Sequence, residues 1–193
     1  MKKIIIAIDS FKGCLTSAEA GKAAEKGIKS INPFCHTSVI PIADGGEGLL
    51  DVLITATKGK YITLSAHGPL MKMAKTHYGL SGNGRTAIIE MAAISGLPLV
   101  PIEQRNPMLT TTFGTGELIK DALNKGCRNF IIGIGGSATN DAGLGMLQAL
   151  GFRFLDKSGH TLGTGGQIME AVANIDTSGI HPALRETHFM VRS

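Results

Sequence analysis

The chain has no tryptophan, and its two tyrosines and seven phenylalanines make up only 5% of 193 residues. Aromatic platforms on which bases could stack are therefore scarce, which argues against a nucleic-acid partner. No block of like charge appears either: 19 Lys and Arg against 15 Asp and Glu leave a net +4 spread along the chain, a balance that suits small anionic substrates without selecting one. Cys14, Cys35 and Cys127 are odd in number and form no Cys-x-x-Cys pair, so they read as reduced thiols in a cytoplasmic protein. The longest apolar-rich stretch, residues 87–102, carries Glu90 and two prolines and falls short of the roughly 20 residues of a membrane span, so no membrane association is expected. The basic start Met1-Lys2-Lys3 leads into an apolar run that meets Asp9 too soon for a signal peptide. Six scattered histidines show no metal-ligand spacing. The absence of Gly-x-x-x-x-Gly-Lys-Ser/Thr excludes a Walker-type ATPase, and no protein-kinase catalytic loop is present.

What the chain does have is 43% hydrophobic residues, mostly aliphatic, and 26 glycines, a globular composition. Ile4 to Ile8 is a β-branched run of the kind found in a strand covered on both faces. Thr16-Ser17-Ala18-Glu19 then reads as a capping box, with Ala20, Ala24, Ile28 and Ile31 at helical spacing behind it. A strand over Thr37–Ala43 and a helix over Leu49–Ala56 complete a β-α-β-α opening, which predicts an α/β fold that begins doubly wound. Tyr61–Leu64, Ala74–Leu80 and Thr86–Met91 predict shorter strands of a β-rich second lobe. A helix follows Thr110–Gly116 and stops at Gly126; Phe130–Ile134 predicts another buried strand, and Leu144–Leu150 another helix.

Four glycine-rich or acid-bearing loops follow strands or precede helices, and in an open parallel sheet such loops converge at the carboxyl ends of the strands. In the first, Asp9, Ser10, Lys12 and Gly13 set a carboxylate, a hydroxyl and an ammonium side by side. That set suits a hydroxylated anion or a transferred phosphoryl group, or else a solvated turn. In the second, Asp44-Gly45-Gly46-Glu47-Gly48, two acids would repel a bare phosphate. They suit a Mg²⁺ held between carboxylate and phosphate, a base for a substrate hydroxyl, or simply the start of a helix. The third, Thr110 to Gly116, offers Thr112, Gly114, Thr115 and Gly116 at a helix N-terminus, where backbone N–H groups suit an anion, or equally a capped helix with no ligand. The fourth runs from Gly133 through Gly135, Gly136, Ser137, Thr139 and Asn140 to Asp141. Its hydroxyls suit phosphates and its acid a metal, while its Gly-x-Gly-x-x-Ala match supports a weaker alternative, an NAD-dependent oxidoreductase. Glu90 is either a site carboxylate or the exposed position of an alternating strand, and Asn106 before Pro107 either a site residue or the start of a turn.

Taken together, Asp9-Ser10-Phe11-Lys12-Gly13, Ala43-Asp44-Gly45-Gly46-Glu47-Gly48, Ile89-Glu90-Met91-Ala92, Arg105-Asn106-Pro107, Thr111-Thr112-Phe113-Gly114-Thr115-Gly116-Glu117-Leu118-Ile119 and Gly133-Ile134-Gly135-Gly136-Ser137-Ala138-Thr139-Asn140-Asp141 resemble the type 1 glycerate kinases, in that family's order. The resemblance implies ATP and Mg²⁺ as cofactors, D-glycerate as substrate and 2-phosphoglycerate as product. It also implies a Rossmann/flavodoxin-like parallel-sheet lobe (residues 1–60 and about 104–155) beside a mixed-sheet lobe (about 61–103 and 156–193). In this reading Lys12 neutralises phosphoryl oxygens, Asp44 is base or metal ligand, Glu47 supports the metal, and Asp141 is a further Mg²⁺ ligand. Asp9, Ser10, Gly45, Gly46, Glu90, Asn106, Thr112, Gly114, Thr115, Gly116, Gly135, Gly136, Ser137, Thr139 and Asn140 bind substrate or phosphate. Family members run to about twice this length, so a C-terminal half, opening with an Asp-Val-x-Asn-Pro-Leu segment, is expected beyond Ser193. The strand beginning near Thr187 would then present an incomplete sheet edge through which the chain could self-associate or bind a partner without catalysis.

Overall fold

The computed structural model describes residues 3–11, 14–46 and 48–193. The chain opens with β1 (Lys3–Ile8), α1 (Ser17–Ile31) and β2 (His36–Pro41), a right-sized crossover in which β1 and β2 pair in parallel from Lys3↔His36 to Ile8↔Pro41. The capping box forms as its sequence predicts: the Thr16 hydroxyl accepts from Glu19 N, and the Glu19 carboxylate accepts from Thr16 N. Ser17 ties this helix start to both strand ends, donating to Ile8 O at 2.7 Å and accepting from Ile42 N at 2.9 Å.

After α2 (Leu49–Thr57) come β3 (Lys60–His67), β4 (Met73–Leu80) and β5 (Thr86–Glu90), an antiparallel meander. Next are α3 (Ala92–Ser95), two single 3₁₀ turns, α4 (Phe113–Asn124), β6 (Asn129–Gly133) and α5 (Leu144–Ala149). A small hairpin of β7 (Arg153–Leu155) and β8 (Asn174–Asp176) precedes β9 (His188–Arg192). The main sheet runs in the order β3-β4-β5-β6-β9, antiparallel on the β3 side and parallel from β5 onward. This mixed α/β architecture, a parallel pair beside a mixed five-stranded sheet, has the predicted fold class.

The run Ala87-Ile88-Ile89 in β5 is continuous because both faces of the sheet are covered. Ala87 and Ile89 join Leu118, Ile119, Phe130 and Ile132 in the large core under α4, whereas Ile88 packs with Leu50 and Ile54 of α2 on the opposite face. β6 pairs with β5 and β9, and Phe130 and Ile132 share the core of Ile89 and Leu118. An apolar run reports that a strand is buried without naming its neighbours.

Candidate active site

The parallel strands end level with one another, Glu90 opposite Gly133 and Gly133 opposite Arg192. Two of the four loops meet there. Gly135 N donates to Gly45 O at 3.2 Å, and Ile134 N donates to Arg192 O at 2.9 Å. The glycines permit this backbone-to-backbone crossing: a Cβ on Gly45 would overlap the Arg192 backbone, and one on Gly135 would lie 2.7 Å from Gly46 Cα. Asp44 is exposed, with Oδ1 accepting from Gly46 N at 2.8 Å. Lys12, Gly13 and Glu47 lie outside the described residues.

A cleft of about 520 Å³ opens between the ends of β1 and β2, the starts of α1 and α2, and the face of the main sheet. That volume is within the usual range for a small-molecule site. Its walls include Ser10, Gly48, Asp51, His77 and Glu90. Ser10 is half-buried, and its N–H donates to the carboxylate of exposed Asp9 at 2.6 Å. Glu90 reaches across from β5 to accept from Leu50 N at 2.8 Å, and the N–H of Gly48 bonds to the same carboxylate. It thereby caps α2, whose own N-cap residue, Gly48, is left-handed at φ 95° and has no side-chain cap. Burial pushes the Glu90 carboxyl above its ordinary value and nearby Asp51 adds to this, against the pull of the two N–H groups and His77.

Asp51, Tyr61 and His77 carry no sequence motif. Asp51 accepts from the Tyr61 hydroxyl at 2.6 Å, which with burial pushes that phenol up to about 12. Tyr61 also meets the His77 ring edge-on, the centroids 5.7 Å apart. The only signal available in sequence was Asp51's place in the first turn of a helix that follows the acidic loop.

The third loop does not present itself to a ligand. Thr110, Thr111, Thr112, Gly114, Thr115 and Gly116 are all buried, and an internal carboxylate occupies the place expected for an external anion. Asp141, 1% exposed, accepts from Thr112 N at 2.8 Å, from Gly143 N at 3.1 Å and Gly145 N at 3.2 Å, and from the hydroxyls of Thr111 and Thr112. Both of its oxygens serve protein donors, so the expected metal-ligand role gives way to that of a clamp joining the starts of α4 and α5. Thr115 bonds to Ser95 at 2.8 Å. Gly114 and Gly116 are small because His67 O and Met146 O lie where a Cβ would go, so neither is an approach for phosphate. The dinucleotide fingerprint also lacks its structural context: Gly133 is inside β6, and α5 begins only at Leu144.

Asn106, Ser137 and Thr139 come together around another cavity, while Asn140 is exposed and Gly136 turns the loop at φ 72°. Among the described residues no three His, Cys, Asp or Glu side chains are grouped to hold a metal. Mg²⁺ needs no such cage, since one or two carboxylates and the phosphates of its nucleotide suffice. The exposed carboxylate of Asp44 has that chemistry and the enclosed one of Asp141 does not.

Comparison with known proteins agrees with these features. The model of the glycerate kinase family matches residues 4–193. A glycerate kinase of Bacillus subtilis (strain 168) is 52% identical over 98% of this chain and 50% of its own length. A glycerate 2-kinase of Escherichia coli (strain K12) is 49% identical over 95% of this chain and 48% of its own. A crystal structure assigned as glycerate kinase 2 from Salmonella typhimurium LT2 superposes with a TM-score of 0.89 at 47% identity, covering 98% of this chain and 51% of that one. The chain spans about half the length of the curated relatives it matches. It belongs to the glycerate kinase family.

Proposed function

We propose that this chain serves an ATP-dependent kinase activity that phosphorylates D-glycerate to 2-phosphoglycerate in the cytoplasm, with Mg²⁺ bound near Asp44 and Glu47. The observation that carries the reading is the contact of Gly45 with Gly135 at the level ends of β5, β6 and β9, beside a cleft of small-molecule size. Phosphoryl transfer asks little of a protein beyond positioning and charge neutralisation. Lys12 and the backbone around Gly45, Gly46, Gly135 and Gly136 meet the phosphoryl oxygens. Asp44 takes the proton of the attacking hydroxyl or holds the metal, and Asp9 and Ser10 contact the substrate. Glu90 acts at one remove by fixing the loop that carries Asp44. When bound, Mg²⁺ neutralises charge on the nucleotide phosphates. Among the described residues no helix is long and apolar enough to cross a membrane.

The test is glycerate-dependent release of ADP from ATP, measured for this chain and for a form extended to the length of its relatives. Lys12→Ala and Asp44→Asn should each lower turnover at least tenfold in whichever form is active, a loss of about 1.4 kcal/mol or more. Turnover within about threefold of the parent would remove those residues from the chemistry. A second reading, self-association through a sheet edge, is favoured by β9, an edge strand whose five residues are all exposed. Sedimentation of the parent and of Met190→Lys tests it, a shared monomeric mass being the outcome against it.

A further inference from the structure

The turn between β4 and β5, Ser81-Gly82-Asn83-Gly84-Arg85, lines no part of the cleft but carries reactive chemistry of its own. Of the chain's seven asparagines, Asn83 alone precedes a glycine. Asn32 and Asn106 precede prolines, which have no N–H, and the other four precede residues whose side chains crowd the following nitrogen. Asn83 and Gly84 are both exposed, Gly84 sits at φ 70°, and nothing lies within 4 Å of where its Cβ would be. On its solvent side the backbone has room to move.

The fold also prepares the side chain. Asn83 Oδ1 accepts from Ser81 Oγ at 2.8 Å and from Arg85 N at 3.0 Å. Two donors on an amide oxygen draw electrons from its carbon and stabilise the negative charge that develops on the oxygen when that carbon is attacked. The nucleophile is adjacent: the backbone nitrogen of Gly84, whose N–H donates to Ser81 O at 2.8 Å. That single bond holds its proton, and an exposed turn bond opens locally without unfolding the protein.

We infer that Asn83 is a site of spontaneous deamidation, with water as co-reactant, at which the folded chain is converted to aspartyl and isoaspartyl forms. The Gly84 nitrogen, giving its proton to solvent, bonds to Cγ of Asn83; the Cγ–Nδ2 bond breaks, and Nδ2 takes up a proton and leaves as ammonia. Water then opens the cyclic imide. Cleavage of the new N–Cγ bond leaves an aspartate on the original backbone, whereas cleavage at the Asn83 main-chain carbonyl routes the backbone through Cβ and Cγ. No electron is transferred, and the net charge falls by one from +4.

The two products act differently on the turn. An aspartate carboxylate accepts the same two bonds as the amide oxygen. The isoaspartyl form adds a methylene to the main chain between Gly82 and Gly84, where one flank is closed: a Cβ on Gly82 would lie 2.2 Å from Thr57 O and 3.0 Å from Lys58 O, at the end of α2. Ser81 is tied across the hairpin, its N–H donating to Thr86 O at 3.0 Å and its Oγ accepting from Thr86 N at 3.1 Å. The added length is therefore taken up inside the turn, at the expense of the bonds made by Gly84 N and Arg85 N.

Incubation of the folded chain at mildly alkaline pH, followed by peptide mass mapping and ion-exchange separation of the acidic products, tests the inference. Conversion at Asn83 should outpace that at any other asparagine by roughly tenfold or more, and Gly84→Ala should slow it by a similar factor because its Cβ hinders approach of the nitrogen to Cγ. Asn83→Gln, which must close a larger ring, should stay unconverted over the same period and serves where the alanine loosens the turn. The isoaspartyl fraction should unfold at lower urea than the parent, whereas the aspartyl fraction and Asn83→Asp should match it. No conversion at Asn83 over weeks of incubation, conversion confined to the urea-unfolded chain, or parental rates in both Gly84→Ala and Asn83→Gln overturns the inference.

Discussion

Replacing Asp141 by alanine separates a structural clamp from a metal ligand. The carboxylate is 1% exposed and receives three backbone N–H groups, those of Thr112, Gly143 and Gly145, together with two threonine hydroxyls. The hydroxyls can turn to other acceptors, but the N–H groups are fixed by the starts of α4 and α5. A buried donor left without a partner costs about 1–3 kcal/mol, so three of them place the loss for Asp141→Ala at about 3 kcal/mol or more. Against a typical total of about 5–15 kcal/mol, that removes a large part of the stability. With an m-value near 2 kcal/mol per molar, the urea midpoint should fall by about 1.5 M or more, read by far-UV circular dichroism because the chain has no tryptophan. Asp141→Asn keeps one acceptor oxygen and turns an NH₂ toward donors, so it should fall between alanine and the parent. If both variants unfold within about 0.5 kcal/mol of the parent and lose only Mg²⁺ dependence, the clamp is wrong and the metal-ligand assignment is right.

Three further outcomes follow from particular contacts. Glu90 is held above its ordinary 4.5 chiefly by burial; an acid raised in the folded state lends stability below its unfolded value and loses it as pH rises through the folded one. Glu90→Gln, which does not titrate, should therefore gain on the parent across that rise, and a pH-independent difference between their urea curves would sink the idea. Of the two tyrosines, Tyr61 is pushed up to about 12 by its bond to Asp51 and Tyr78 higher still by burial and its bond to Asp121. Phenolate absorbance should show no ionisation near pH 10 in the folded protein, and Asp51→Asn should bring one tyrosine down. Gly114→Ala forces a Cβ onto His67 O and should cost about 1–3 kcal/mol. Gly27→Ala meets nothing within 4 Å inside α1 and should stabilise by about 0.5–1 kcal/mol.

Much of the local structure was legible from residues alone, because its causes are local. Thr16 and Glu19 announce a helix start that needs no distant partner, and the aliphatic run at Phe130–Ile132 announces a buried strand. The run at Ile4–Ile8 does form a strand, but β1 is not covered on both faces as expected, since only Ile6 is buried and Ile5 is 61% exposed. The meeting of the second and fourth loops was legible as well, since glycines after strands in a parallel sheet point to one edge. What remained hidden depends on partners far along the chain. A threonine-rich loop before α4 looks the same whether its anion is a ligand or Asp141, 29 residues later. Glu90 reads either as a site carboxylate or as an alternating strand position, whereas its role as the cap of α2 is set by Leu50, 40 residues earlier. Gly114 and Gly116 share the composition of a phosphate loop, yet their smallness serves the packing of α4 on His67 and Met146.

The parallel pairing of β9 with β6 bears on how the chain is made. β6 ends at Gly133 and its neighbour begins at His188, so during synthesis at about 5–20 residues per second β6 waits roughly 3–11 s for its partner. Throughout that interval Phe130 lacks the Phe189 ring that stacks on it at 5.0 Å in the finished protein, and one side of the β6 backbone offers its hydrogen bonds to any extended segment nearby. The newborn chain thus passes through a window of vulnerability to aggregation, and conditions that slow elongation past Gly133 lengthen it.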